Sequence, residues 1–117
     1  IFPEGTTSDG NGIKQFKSSM LECAFDEKNL IHIQPISICY SRKNNLPMGL
    51  FLRRHISWVG DTSMVDAMFN FLSSGPVTVE LVFHNELNAS SFNNRKDLTY
   101  YCENQILQGI NQTLKIS

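Results

Sequence analysis

Residues 30–40 have the sequence LIHIQPISICY, and this stretch decides the fold expected for the chain. Apolar side chains alternate with polar or small ones on both sides of Pro35, as in a strand buried in a sheet. Ile31 and Ile33 fall in one phase of that alternation, and the isoleucines after the proline fall in the other. Because proline has no N–H to donate, we expect a bulge or a change of strand pairing at Pro35.

The segments on either side of this strand alternate between extended and helical patterns. Residues 1–3 look like the end of a strand, and apolar residues recur at helical spacing over residues 13–24. Further along, the pattern predicts a helix over about residues 64–72, a strand over residues 77–83 and a closing helix over residues 98–114. This order predicts an α/β fold with a largely parallel sheet and flanking helices.

Composition limits the class of protein. The chain has 117 residues, of which 41% are hydrophobic and 18% charged, so it is one small globular domain or a piece of a larger one. A net charge of -1 gives no support for nucleic acid as a partner. The sequence contains no apolar stretch long enough to span a membrane and no signal peptide.

The cysteines indicate a reducing, cytosolic environment. Cys23, Cys39 and Cys102 are odd in number and widely spaced, which is typical neither of a disulfide framework nor of a zinc site. Cys23 and Cys39 lie in apolar runs, where we expect buried thiols.

Residues 2–8 form the segment with the most chemical information, Phe2-Pro3-Glu4-Gly5-Thr6-Thr7-Ser8. A glycine lets the backbone approach a ligand closely, and N–H groups ahead of a helix suit an anion such as phosphate. The Glu4 carboxylate can accept hydrogen bonds from a substrate hydroxyl or hold an arginine. The alternative is a capped turn in which Glu4 is only solvated.

This string, called the Phe-Pro-Glu-Gly motif below, resembles the Phe-Pro-Glu-Gly-Thr-Arg-Ser block of the 1-acyl-sn-glycerol-3-phosphate (lysophosphatidate) acyltransferase family. The family has an apolar strand with a central proline after this block, and residues 31–38 stand in that place. Residues 58–61 and 95–98 also look like bacterial members. The resemblance implies that residues 1–117 are the C-terminal part of a single acyltransferase domain, beginning inside this motif with the N-terminal part missing.

The resemblance also implies a reaction. In that family an acyl group moves from acyl-CoA or acyl-carrier protein to the free hydroxyl of lysophosphatidate, giving phosphatidate in phospholipid biosynthesis. The expected location is the cytoplasmic face of the bacterial inner membrane, with the membrane surface as a partner. Neither a cofactor nor a metal is implied, since the acyl donor is a substrate. Acceptor binding would fall on five residues of the motif: Glu4, Gly5, Thr6, Thr7 and Ser8.

The family's catalytic pair, a His and an Asp separated by four residues, is absent from this sequence. His32, His55 and His84 are the histidines of the chain, and a serine, a glycine and an alanine stand five positions after them. We therefore expect this polypeptide alone to be inactive. His32 is expected to be a strand histidine with a local partner, and His84 a polar residue at a strand end.

Two further observations leave alternatives open. Thr7 stands where the family has an arginine, so one charge-assisted phosphate contact is missing. Another lysolipid without phosphate, such as a lyso-ornithine lipid, is then a possible acceptor, and so is a catalytically dead lipid-binding role. In residues 46–58, large apolar side chains lie among the basic residues Arg53 and Arg54, a pattern that suits either a membrane interface or a loop packed on the sheet.

Overall fold

The computed structural model describes residues 1–25 and 31–116, so the strand start expected at Leu30 lies outside the described residues. Within these ranges the strands are β1 (His32–Ile33), β2 (Ile36–Lys43), β3 (Leu46–Pro47), β4 (Val77–Phe83) and β5 (Leu87–Asn88). The α-helices are α1 (Leu50–Ile56), α2 (Met64–Ser73) and α3 (Arg95–Ile116), and 3₁₀ helices span Ser18–Phe25 and Ala89–Ser91.

The described strands pair antiparallel, so the prediction of a largely parallel sheet is wrong. A three-stranded sheet has the order β3-β2-β4, and β1 pairs with β5 in a separate two-stranded ladder. The chain leaves β2 at Lys43 and returns at Val77, directly opposite. The Asn44 N–H donates to the Pro76 carbonyl at 2.9 Å and closes the base of this connection. Because α1 and α2 lie inside a connection that begins and ends at one end of the sheet, they do not form the crossover that parallel strands require.

The predicted irregularity at Pro35 is confirmed. Between the pair Ile33↔Leu87 and the pair Ile36↔Phe83, the chain advances three residues from β1 to β2 and four residues from β4 to β5. The extra residue is the mark of a bulge. The His84 N–H donates to the Pro35 carbonyl at 3.0 Å, which holds the two ladders together across the break.

A tight turn joins β2 to β3, and the sequence analysis did not predict it. Asn44 and Asn45 have φ of 51° and 65°, and Lys43 pairs with Leu46 across them. Positive φ at both central residues is the geometry of a two-residue hairpin turn, for which asparagine is favoured.

Helix α3 packs against the face of β2 that carries small side chains. Ser37, Cys39 and Ser41 are buried there, and the Ser37 hydroxyl donates to the Ile106 carbonyl of α3 at 2.8 Å. The main core lies between α3, the first 3₁₀ helix and the second 3₁₀ helix. Its buried members are Phe16, Leu21, Ala24, Ala89, Leu98 and Cys102.

The other face of the sheet is apolar and exposed. Ile36 and Ile38 of β2 lie opposite Phe83 and Leu81 of β4, and these side chains are 38–60% exposed. The prediction of a buried strand over residues 30–40 therefore holds for one face of β2 and is wrong for the other. Helix α2 is also rich in large apolar side chains and has no buried residue.

The predicted strand at residues 77–83 is confirmed, and so are the helices predicted over about residues 64–72 and over residues 98–114. The N-terminal elements differ from the prediction. Residues 1–3 are not a strand, and a 3₁₀ helix, Ser18–Phe25, replaces the helix expected over residues 13–24. The Phe16 N–H donates to the Glu103 carboxylate at 2.9 Å and the Lys17 N–H to the Pro3 carbonyl at 2.8 Å. These N–H groups bond outside the segment, so they are not available to a helix that starts at residue 13. Cys23 is exposed, contrary to expectation, and Cys39 is buried as predicted.

Candidate functional site

The Phe-Pro-Glu-Gly motif forms a turn that is anchored to the segment ahead of the first 3₁₀ helix. The Gly5 N–H donates to the Phe2 carbonyl at 3.1 Å, and the Lys17 N–H donates to the Pro3 carbonyl at 2.8 Å. Gly5 has φ of 65°, a conformation that favours glycine. A Cβ atom built on Gly5 would lie 3.0 Å from the Lys17 ammonium nitrogen. The positive φ of the turn therefore accounts for the glycine, whereas the flexible Lys17 side chain could shift to make room for a Cβ atom.

Glu4 fixes the loop that follows the motif. Its Oε2 accepts a hydrogen bond from the Lys14 N–H at 2.8 Å, which closes the chain between these two residues. The residue is half-buried. A carboxylate can accept several hydrogen bonds, so this contact positions Glu4 and leaves it able to accept more. The role of Glu4 in substrate binding stays a prediction.

The three hydroxyl residues of the motif are placed differently from one another. Thr6 and Thr7 are exposed, whereas Ser8 is half-buried and donates to the Gly12 carbonyl at 3.4 Å. No helix starts directly after them, since the first helical turn begins at Ser18. The helix N-terminus from which an anion site was inferred is therefore not part of this site.

Thr7 and Ser8 line a depression of about 200 Å³ together with Asp9 and Lys14. The remaining predicted acceptor residues, Glu4, Gly5 and Thr6, do not line it. The structure thus brings two of the five predicted residues together with one acidic and one basic side chain that the sequence analysis did not select.

Asp9 is held as a carboxylate by its neighbours. The Asn11 backbone N–H donates to its Oδ1 at 3.1 Å, and the Asn11 side-chain amide donates to its Oδ2 at 3.2 Å. These hydrogen bonds, with a smaller contribution from the positive charge of Arg54, hold the pKa of Asp9 below its usual value. Asp9 therefore remains negatively charged at neutral pH.

Arg53 fixes Asn11 in turn. Its Nε donates to the Asn11 Oδ1 at 2.9 Å, and its guanidinium also donates to the Met48 carbonyl. The Asn11 amide further donates to the Leu50 carbonyl at 3.1 Å. Arg53 is only 7% exposed, so for this residue the packed-loop alternative holds and the membrane-interface alternative does not. Nothing in the sequence distinguishes the buried Arg53 from its neighbour Arg54. The only local signal for this site is the Asp9-Gly10-Asn11 sequence, which is typical of a turn.

The histidines have partners other than aspartate. His32 Nδ1 lies 3.0 Å from the Glu86 carboxylate, which confirms a strand histidine with a local partner. His84 follows β4 as expected, its Nε2 lies 2.7 Å from the Ser37 hydroxyl, and burial lowers its pKa. His55 stacks on Phe51 with 6.4 Å between ring centroids.

Residues 1–25 and 31–116 contain no group of three or more His, Cys, Asp or Glu side chains placed to hold a metal ion. In the same ranges, no helix combines the length and the apolar character needed to cross a bilayer.

Three curated relatives share one name, lyso-ornithine lipid O-acyltransferase. The protein of Brucella abortus (strain 2308) is 32% identical over 111 residues, which cover 91% of this chain and 42% of the relative. The protein of Rhizobium meliloti (strain 1021) is 29% identical over 120 residues, covering 98% of this chain and 41% of the relative. The protein of Rhodobacter capsulatus is also 29% identical, with 96% and 40% covered.

The chain thus spans about two-fifths of the length of these relatives. No family model matches it, and no solved structure matches it. The Phe-Pro-Glu-Gly motif and the similarity to three acyltransferases over nearly the whole chain support an acyltransferase family.

Proposed function

We propose that the chain works as part of an enzyme that transfers an acyl group to the free hydroxyl of a lyso-ornithine lipid. The observation that carries this proposal is the match of 91–98% of the chain to three relatives of that name. In the reaction, the acceptor oxygen attacks the thioester carbonyl of acyl-CoA or acyl-carrier protein, a C–O bond forms, the C–S bond breaks and the hydroxyl proton passes to a general base.

Two features of the motif favour a headgroup without phosphate. Thr7 replaces the arginine that would form a bidentate phosphate contact in the resembling family. In the described residues 9–17, directly after the motif, no helix begins that could supply further N–H groups to a phosphate. An ornithine lipid attached through one amine keeps one carboxylate and one ammonium group, so its recognition needs charges of both signs.

Within this enzyme we assign acceptor binding to the motif and catalysis to residues outside this chain. Glu4, Gly5, Thr6, Thr7 and Ser8 are the proposed acceptor-binding residues. A His-Asp pair of the spacing used in the resembling family does not occur in the sequence. Because the acceptor and the product are lipids, the enzyme would work at a membrane surface, which we place at the cytoplasmic face of the bacterial inner membrane.

Lysophosphatidate is a second candidate acceptor, favoured by the string Phe2-Pro3-Glu4-Gly5-Thr6 itself. The two acceptors can be compared in a chimera in which this chain replaces the matching segment of the Brucella abortus relative. Acyl transfer would be measured with lyso-ornithine lipid and with lysophosphatidate at equal concentrations in mixed micelles. We expect the larger kcat/KM with lyso-ornithine lipid. A folded chimera that prefers lysophosphatidate would reverse the assignment of the acceptor.

A further inference from the structure

The depression beside the Phe-Pro-Glu-Gly motif combines opposite charges with apolar walls. Asp9 and Lys14 supply the charges, Thr7 and Ser8 the hydroxyls, and Ile13 and Val59 apolar surface. Its volume of about 200 Å³ is below the roughly 300–1,000 Å³ usual for small-molecule pockets, so it suits a headgroup and not a whole lipid.

The negative charge at this depression is built in by the fold. Both oxygens of Asp9 accept hydrogen bonds from Asn11, which is held by the buried Arg53 and by the Leu50 carbonyl. Because the support reaches from the loop to α1, the position of Asp9 does not depend on the loop alone. A carboxylate accepts more hydrogen bonds than the two from Asn11, so it can still bind an ammonium group.

The positive charge is placed relative to the motif. The Lys14 N–H donates to Glu4 Oε2 at 2.8 Å, so the backbone of the lysine is fixed to the predicted acceptor-binding residue. Lys14 lines the depression with Thr7 and Ser8, and the Thr7 hydroxyl can donate to a carboxylate. One acidic and one basic residue, Asp9 and Lys14, therefore line the same small space.

We propose that this depression binds the zwitterionic amino-acid headgroup of the acceptor, with Asp9 receiving the ammonium group and Lys14 the carboxylate. The methylene groups between the two charges would contact Ile13 and Val59. The proposal rests on the proposed function, since it takes an ornithine lipid as the acceptor. It adds Asp9 and Lys14 as specificity-determining residues and Arg53 as a positioning residue.

The test uses water-soluble headgroup probes and the 117-residue chain. The first probe is ornithine acylated with butanoate on its α-amine; the second is the norvaline analogue, which lacks the ammonium group; the third is N-butanoyl-1,4-diaminobutane, which lacks the carboxylate. Binding is followed by backbone amide chemical shifts of residues 7–14. We expect the ornithine probe to bind at least tenfold more tightly than either of the others.

Substitutions assign each charge. Asp9→Asn should remove the preference over the norvaline probe, and Lys14→Gln the preference over the diaminobutane probe. Asp61→Asn, in an exposed loop, is the matched control and should leave both preferences unchanged. The same spectra report whether each variant is folded. Equal binding of the three probes, or no saturable shift in residues 7–14, would overturn the headgroup assignment.

A second measurement separates this proposal from the proposed function. In the chimera, Asp9→Asn should raise the KM for lyso-ornithine lipid at least tenfold with little change in kcat. If the chimera acylates lyso-ornithine lipid and Asp9→Asn leaves KM unchanged, the function stands and the headgroup site falls. If the probes bind as expected and the chimera transfers no acyl group to this lipid, the headgroup site stands and the proposed function falls.

Discussion

Gly109 sets how closely α3 approaches the sheet. A Cβ atom at this position would lie 2.5 Å from the Ser37 hydroxyl and 2.8 Å from the His84 ring, distances that packed atoms do not tolerate. Ser37 is fully buried and bonded to both α3 and His84, so it has little room to move. The glycine therefore serves packing between helix and sheet.

We predict that Gly109→Ala destabilises the chain. Overpacking costs about 1–3 kcal/mol, partly offset by the gain of about 1 kcal/mol from alanine within a helix. The midpoint of urea unfolding should fall accordingly. Gly12→Ala is the control, because a Cβ there meets no atom within 4 Å, and it should change the midpoint little. An unchanged midpoint for Gly109→Ala would mean that α3 sits farther from the sheet.

His84 should make stability depend on pH. Since the Ser37 hydroxyl donates to the Ile106 carbonyl, the His84 Nε2–H is the donor in the Ser37–His84 contact. Burial lowers the folded-state pKa of His84 below its ordinary value of about 6.5. The unfolded chain therefore binds more protons in this range, and stability rises with pH.

The contribution of His84 is thus fully present above about pH 6.5 and is lost as the pH falls through the lowered pKa. We expect the free energy of unfolding to decrease between neutral pH and about pH 5 in the native chain, and less steeply in His84→Gln. His55→Gln, at an exposed position, should keep the native slope. Identical slopes in the native chain and His84→Gln would contradict the burial of this ring.

At the scale of elements, periodicity predicted α2, β4 and α3 because each carries a regular local pattern. The pattern does not say to which end of a sheet a connection returns, and residues 44–76 return to the end that they left. Parallel pairing was therefore the wrong inference from a correct order of strands and helices. Only the Asn44-Asn45 turn marked a hairpin locally.

The candidate site shows the same division between local and tertiary information. The Phe-Pro-Glu-Gly motif could be found because its string is specific, and a tight turn explains its glycine. The link from Asp9 through Asn11 to Arg53 joins residues 42 positions apart in sequence, so no local pattern encodes it. The exposed, apolar sheet face was not predicted either, since alternation alone does not reveal which face is covered.

The segment around α1, residues 46–58, is where we propose contact with a membrane. Leu46, Leu50 and Phe51 are 67–80% exposed, whereas Met48 and Ile56 are buried, so only part of this segment packs on the protein. Trp58, the one tryptophan of the chain, is 43% exposed and donates to the Thr62 carbonyl at 2.7 Å. An amphipathic surface of this kind suits the membrane interface.

We expect the Trp58 emission to shift to shorter wavelength on adding anionic vesicles. High salt should reduce the shift, because the attraction of basic residues to anionic lipids is screened. Phe51→Ser should weaken the response, and Phe83→Ser, on the sheet face, is the matched control with little effect. An emission spectrum unchanged by anionic vesicles would sink the interfacial role of this segment.

At the scale of the whole molecule, the chain carries the proposed acceptor motif but no His-Asp pair of the spacing found in the resembling family. We predict that the purified 117-residue chain consumes acyl-CoA or acyl-carrier-protein thioester only at the background rate with either lyso-ornithine lipid or lysophosphatidate. Turnover dependent on the chain would show that catalysis resides in residues present here.

The most direct test of the central claim, that the Phe-Pro-Glu-Gly motif binds the acceptor of a lysolipid acyltransferase, is the effect of Glu4→Ala on acyl transfer by the chimera. Measured at subsaturating lyso-ornithine lipid, kcat/KM should fall at least about tenfold, or about 1.4 kcal/mol in transition-state stabilisation. Glu4→Gln, which can still accept from the Lys14 N–H, separates the charge from the loop contact. The exposed Glu80→Ala on β4 should leave kcat/KM unchanged. A folded Glu4→Ala chimera with kcat/KM within twofold of the parent chimera would contradict the claim.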